Sequence, residues 1–534
     1  MDGIKLWARN GEAVRQAIEL GEIVHMETAS EELTDEFLLF AMESGLLTKW
    51  ADGFPDPRQQ CEIAPKVILA SSVAARFAGM YSMRKTGYAL RSARVLGALG
   101  YSVEVVTPGQ GLSDRGTGNE TLYSGDVIRK LLVKMERQVE VKTLGLPVKM
   151  ATDSSTAGEG VGPVKGRGRR SRRAVKQAVD APEAELRGRT VVQQLVDWYN
   201  SCVGPSLLRY ADLGPGRRIH ILDATRIEVD LATDTYECSG VVENDDGTFS
   251  RGYKLGTLRT LLDTAGLLTQ VAVSGIAVHD LKLCRPLLES RRVLRAGDLL
   301  IEDRGFLDGG MLSYLKSQRQ VDVIVPLKAN MLAYKEAVQL AQIANTWEPH
   351  PSRPDQQIAF VQALPKVWDE CTVTLNACVI RFFHKKKKQM DYIVLVTTDL
   401  ALNARWIVVH YEERPEIEQD YEQMKSGGWL LQKLSSTRYS EIAFYILTVV
   451  LSYSLYHLFA NTQAGAKFAH KTRQAIALEQ FCTQRTHIIV YAGNHFEIFE
   501  TFTFMNWVLQ RPAPVQAHVR AWLQAHLGTV EKRE

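Results

Sequence analysis

The sequence is short of cysteine, of one-signed charge and of long apolar runs, and each shortage narrows the field. Its seven cysteines (Cys61, Cys202, Cys238, Cys284, Cys371, Cys378 and Cys482) are scattered, odd in number and form no CxxC pair. That argues against a zinc ribbon and a disulfide framework and points to a reducing cytosol. Against 64 basic residues stand 61 acidic ones, a formal net charge of +3. Overall charge therefore marks no partner, and any case for nucleic acid has to rest on local clusters. No glycine-rich phosphate loop of the P-loop or dinucleotide kind is present, which counts against an enzyme of small phosphorylated metabolites. Met1–Ala8 carries charges but no apolar h-region, so no signal peptide is expected. One stretch, Ile442–Phe459, is nearly long enough to span a bilayer. It contains Ser452, Ser454, His457 and three tyrosines, so a buried core helix is expected and no membrane span.

What is present is a globular composition, 45% hydrophobic and 23% charged over 534 residues, too long for one ordinary core. Residues 1–150 read as helical: Leu33–Ser44 and Lys66–Tyr81 carry apolar residues at helical spacing. Arg76, Arg84, Lys85, Arg91 and Arg94 recur there, and a solvated face on a helical bundle explains them better than DNA does. Residues 151–190 form a linker whose segment Lys165–Lys176, KGRGRRSRRAVK, holds seven basic residues and no acid. Such a stretch cannot bury a core. Its Lys165, Arg167, Arg169, Arg170, Arg172 and Arg173 suit phosphates or a minor groove, although a plain solvated tether fits the composition equally well.

From residue 191 the pattern becomes α/β. Arg218–Asp230 is β-branched and strand-like, Tyr253–Leu262 and Leu267–Ile276 read as two more strands, and Leu299–Asp303 and Val321–Leu327 as apolar strands. Residues 329–400 are β-rich, with strands at Gln357–Leu364, Cys371–Phe383 and Tyr392–Thr398 and a lysine run, Lys385–Lys388, at a hairpin tip. Trp406–His410 is expected to be a further strand, and a helix is expected from Pro415 to about Gly427. Residues 466–534 read as a helical C-terminal region.

Two acids sit at chemically telling places. Asp223 lies inside a strand, costly for a charge unless it is paired or binds metal; Asp303 ends one, beside Arg304 and Gly305. In α/β sheets strand ends face the functional crevice. Tyr411, Arg414, Glu418 and Lys425 follow with two, three and six residues between them. From Glu418 to Lys425 is about 700° of helix, so both share a face roughly 10 Å apart. Taken alone, this charge-rich segment reads first as a helix surface laced with salt bridges.

Together, the order of elements, the ungapped Tyr-Arg-Glu-Lys signature, Asp223 with Thr225 two residues on, and Asp303-Arg304-Gly305-Phe306 resemble the DDE transposases of the insertion-sequence branch. The resemblance covers roughly Arg218–Phe459; Pro415, where many relatives carry a large apolar residue, departs from it. It implies an RNase H-like fold, a mixed sheet flanked by helices with a β-rich insertion (329–400) between two parts of the catalytic core (191–328 and 401–465) and a helical N-terminal DNA-binding domain. It also implies a catalytic, metal-binding triad of Asp223, Asp303 and Glu418 holding two Mg²⁺ ions, Mn²⁺ being able to substitute. Tyr411, Arg414, Lys425 and Arg304 would contact DNA. The partners would be double-stranded element ends and target DNA, bound by a homodimer or larger synaptic complex to which the C-terminal region contributes, in a bacterial-type cytoplasm. Some such enzymes release the element through a DNA hairpin, which requires an aromatic ring under a displaced base; Trp347 and Trp368 are candidates, and a structural tryptophan is as good an explanation of each. The alternative on the same fold is a nuclease that does not transpose, or a domesticated DNA-binding protein.

Overall fold

The computed structural model describes residues 8–30, 33–59, 61, 63–90, 93–100, 123–139, 185–261, 266–365, 368–386, 388–463, 465–466 and 486–527. The basic segment Lys165–Lys176 lies outside them. In chain order the strands are β1 (Ala8–Arg9), β2 (His25–Ser30), β3 (Ile219–Val229), β4 (Gly240–Glu243), β5 (Phe249–Leu261), β6 (Gly266–Gly275), β7 (Leu299–Glu302), β8 (Asp322–Pro326), β9 (Glu348–Pro349), β10 (Gln356–Val361), β11 (Asn376–His384), β12 (Gln389–Thr397), β13 (Thr486–Ala492) and β14 (His495–Glu500).

Ten of them make one mixed sheet in the order β4-β5-β3-β7-β8-β12-β11-β10-β9, with β6 paired to β5. The β3–β7 and β7–β8 pairs are parallel and the rest antiparallel. Successive side chains of a strand point to opposite faces, and here both faces are covered. From β3, Ile221 and Ile227 enter the core beneath the helices Pro65–Phe77 and Tyr439–Ala460. Leu222 enters a second core, on the side of Asp280–Glu289, Gly309–Tyr314 and Leu332–Ala344. Burial on both faces is why Leu299–Ile301 of β7 and Val323–Pro326 of β8 are apolar without alternation. This is the expected RNase H-like layout of a mixed sheet between helical layers.

The strands of the β-rich stretch do not form a separate layer. β12 pairs antiparallel with β8, with Leu395 opposite Pro326 and Thr397 opposite Ile324, so β9–β12 extend the main sheet. The expected strand at Trp406–His410 is instead part of a helix, Ala404–Tyr411. Its β-branched Ile407, Val408 and Val409 suggest a strand. The Asn403 side chain, however, caps the segment by accepting from the Trp406 N–H at 3.0 Å, and buried Ala404, Ile407 and Val408 repeat at helical spacing.

In the apolar helix Tyr439–Ala460 every residue but His457 is buried, so it is a core helix. Two of its hydroxyls are bonded inside the protein: Ser454 accepts from the Leu268 N–H at 3.2 Å, and Ser452 donates to the Thr448 carbonyl at 2.7 Å. The two ends of the chain meet in a second sheet, β1-β14-β13-β2, closed over Val14, Ile18, Ile488, Val490 and Phe504. A helical N-terminal unit and a separate helical C-terminal region do not contain this pairing. The short polar β2 carries no apolar run, and its partner lies at the far end of the chain, where local pattern carries no information about it.

Candidate active site

Parallel pairing of β3 and β7 sets Leu222 opposite Glu302, and the next residue on each chain is Asp223 and Asp303. Two acids far apart in sequence thus sit side by side on neighbouring central strands, Asp303 immediately past its strand. Glu418 comes from the helix Pro415–Ser426. The three meet on one cation. The Arg414 guanidinium lies 2.6 Å from the Glu418 carboxylate, 3.5 Å from Asp223 and 3.8 Å from Asp303.

The helix is aimed by its buried face. Pro415 occupies the first turn, and Ile417, Asp420, Tyr421 and Met424 are buried at helical spacing, which turns Glu418 and Lys425 outward to the site. Asp420 would be costly in that position if unpaired. It accepts from Arg259 Nε at 2.6 Å and from the Tyr453 hydroxyl at 2.8 Å. The Tyr421 hydroxyl donates to the Asp223 carbonyl at 2.8 Å and lies 2.6 Å from the Thr257 hydroxyl. None of Asp420, Tyr421 and Arg259 was marked out by the sequence; the apolar period through Ile417, Tyr421 and Met424 was the available signal.

Burial lifts the Asp223 carboxyl to about 6, aided by the neighbouring Asp303 and Glu418 and opposed by the Ala224 N–H and Arg414. Arg414 is held above its ordinary value: burial works against its charge, but Asp223, Asp303, Glu418 and Tyr411 outweigh it. Burial pushes the Tyr411 phenol up to about 12, against the pull of Arg414. Lys425 is lowered by burial, opposed by Glu228 and Asp223. Asp223, Arg414, Glu418, Tyr421 and Lys425 line a cavity of about 440 Å³. Exposed Arg304 adjoins Asp303, and its charge is felt at Tyr411.

Among the described residues no three acidic, histidine or cysteine side chains are spaced to share an ion as they stand. The donor set nevertheless fits a hard divalent cation, because three carboxylates already converge on one positive group, and all donors are oxygen.

Both tryptophans of the inserted strands are packed. Trp347 lies under Arg381, whose guanidinium carbon is 4.0 Å from its ring centre. Trp368 presses on Gly309 so closely that a Cβ there would meet the ring at 2.8 Å.

Residues 214–455 match the family model described as Transposase DDE domain. That span contains all three acids, Tyr411, Arg414 and Lys425. Comparison with curated proteins finds no match.

Proposed function

We propose that the chain, whose residues 214–455 match the family model described as Transposase DDE domain, binds the ends of a mobile element, hydrolyses the phosphodiester there and joins the freed 3′-OH to target DNA. The observation that supports this best is the convergence of Asp223, Asp303 and Glu418 on the Arg414 guanidinium. Asp223, Asp303 and Glu418 would hold two Mg²⁺ ions, with Mn²⁺ able to substitute. Bound there, a divalent pair supplies charge neutralisation at the attacking and the leaving oxygen of an in-line displacement.

The rest falls to the chain's own groups. Arg414 offers a planar fork suited to phosphate oxygens, and moving onto DNA would release the acids it now bridges. Lys425 and Tyr411 flank it and would hold the phosphates next to the scissile bond, with Arg304 outside them. Of the two candidate tryptophans, Trp347 would stack on a displaced base only once Arg381 left its ring, and Trp368 supports the backbone at Gly309. Two element ends must be held together, so a homodimer or larger synaptic complex is the working form.

A nuclease or a DNA-binding protein on the same fold separates from this in one assay: a nuclease cuts end DNA without joining it, and a binder does neither. The basic segment gives a second expectation. Neutralising Arg167, Arg169, Arg170, Arg172 and Arg173 together should weaken DNA binding across all sequences. It should also flatten the slope of log affinity against log salt, by about 0.9 for each phosphate no longer neutralised. A slope equal to wild type would leave Lys165–Lys176 as a tether.

A further inference from the structure

The Tyr421 hydroxyl is fully buried and makes two contacts, one to each side of the site. It donates to the main-chain carbonyl of Asp223, the residue that carries the first acid, at 2.8 Å. It also meets the Thr257 hydroxyl at 2.6 Å, on β5 directly opposite Asp223 in register. Tyr421 itself lies three residues beyond Glu418 on the same helix. The helix's other buried polar anchor, Asp420, grips Arg259 on β5, which pairs with Ile221 of β3, and Tyr453 on the core helix, but it makes no contact with Asp223 itself. Among the described contacts, Tyr421 is the hydrogen-bonded tie from the Glu418 helix to the backbone beneath Asp223.

We propose that Tyr421 is a positioning residue: through its hydroxyl it fixes the spacing between the helix bearing Glu418 and the strand bearing Asp223, and so the geometry in which the acids take up a divalent ion. This rests on the DNA-cutting assignment above. A ring alone would fill the same space but leave the Asp223 carbonyl and the Thr257 hydroxyl without this partner. The helix would keep its anchor at Asp420 and lose its direct tie to the backbone at Asp223. Displacements of about 1 Å in a catalytic constellation cost on the order of a hundredfold in rate.

The test is Tyr421→Phe in the full chain. Single-turnover cleavage of an end-containing duplex should fall about 10- to 100-fold, with the Kd for that duplex within about threefold of wild type. The Mg²⁺ concentration giving half-maximal thermal stabilisation of the DNA-free protein should rise severalfold. The control is Tyr199→Phe, which removes another buried hydroxyl, the one donating to the Leu268 carbonyl at 2.7 Å, away from the acids. It should match Tyr421→Phe in lost stability and leave both rate and Mg²⁺ midpoint unchanged. Thr257→Val, which removes only the second contact, should give a smaller loss in the same direction; it decides the matter if Tyr421→Phe does not fold. A wild-type Mg²⁺ midpoint in Tyr421→Phe, or an equal rate loss in Tyr199→Phe, overturns the proposal. Absence of cleavage by the wild-type chain would count against the DNA-cutting assignment alone, since the Mg²⁺ midpoint is measured without DNA.

Discussion

Asp223→Asn, Asp303→Asn and Glu418→Gln should each lower cleavage and joining by about a thousandfold or more, the loss of several kcal/mol of charge stabilisation in the transition state. Binding to end DNA should survive in all three. The substitutions keep shape and remove charge, so a fold effect can be told from a chemical one. Asp303 and Glu418 are 39% and 55% exposed, and neutralising an exposed carboxylate leaves packing intact. Asp223 is the informative member. Its carboxyl is lifted to about 6 mainly by burial, so the folded protein disfavours the charge that catalysis needs, and Asp223→Asn should melt no lower than wild type. The amide oxygen can still accept from the Ala224 N–H, which now bonds the carboxylate at 2.8 Å. Lost activity with retained or raised melting temperature is the signature of a ligand kept for chemistry against the interest of stability. A variant with near-normal cleavage removes its residue from the triad.

Removing Arg414 or Lys425 should slow the chemical step more than it weakens binding. Charge builds on the phosphate in the transition state, and contacts that strengthen only there act on rate. Removing one charge-assisted hydrogen bond costs on the order of 2–4 kcal/mol, roughly 30- to 1000-fold in single-turnover rate at saturating protein. Arg414→Ala should have a second effect that Lys425→Ala lacks. Asp223, Asp303 and Glu418 share Arg414 as counter-charge, so its removal leaves three acids facing one another. Mg²⁺ should then bind the DNA-free protein more tightly while cleavage falls. Arg414→Lys should rescue only in part, because an ammonium lacks the planar two-pronged contact. Cleavage at wild-type rate by both alanine variants, once bound, would make the Tyr-Arg-Glu-Lys signature structural in this chain.

How much of this was legible in the sequence follows from which interactions are local. The strand around Asp223 was visible from its β-branched residues, and the one ending at Asp303 from its apolar run. The helix of Glu418 was visible from Pro415 and the Gly427-Gly428 stop. The convergence of the acids was implied by family resemblance alone, since it depends on the β3–β7 register and the aim of a distant helix. Two features misled. The Ile407-Val408-Val409 run favours a strand by propensity, and the Asn403 cap with the apolar helical period overrode it. The sheet joining β1 and β2 to β13 and β14 pairs the two ends of the chain, beyond the reach of any window of local pattern. The tie from Tyr421 to the Asp223 carbonyl was equally hidden, because a tyrosine at an apolar helix position reads as core and its hydroxyl partner is a main-chain atom.

The most direct test of transposition is a strand-transfer assay with the full chain, Mg²⁺, a labelled duplex carrying the repeats that flank the gene, and an unlabelled target duplex. The expected product is the labelled 3′ end covalently joined to target DNA, formed by wild type and by none of Asp223→Asn, Asp303→Asn and Glu418→Gln. Cut but unjoined ends, or joining that persists in any of those three variants, would contradict it.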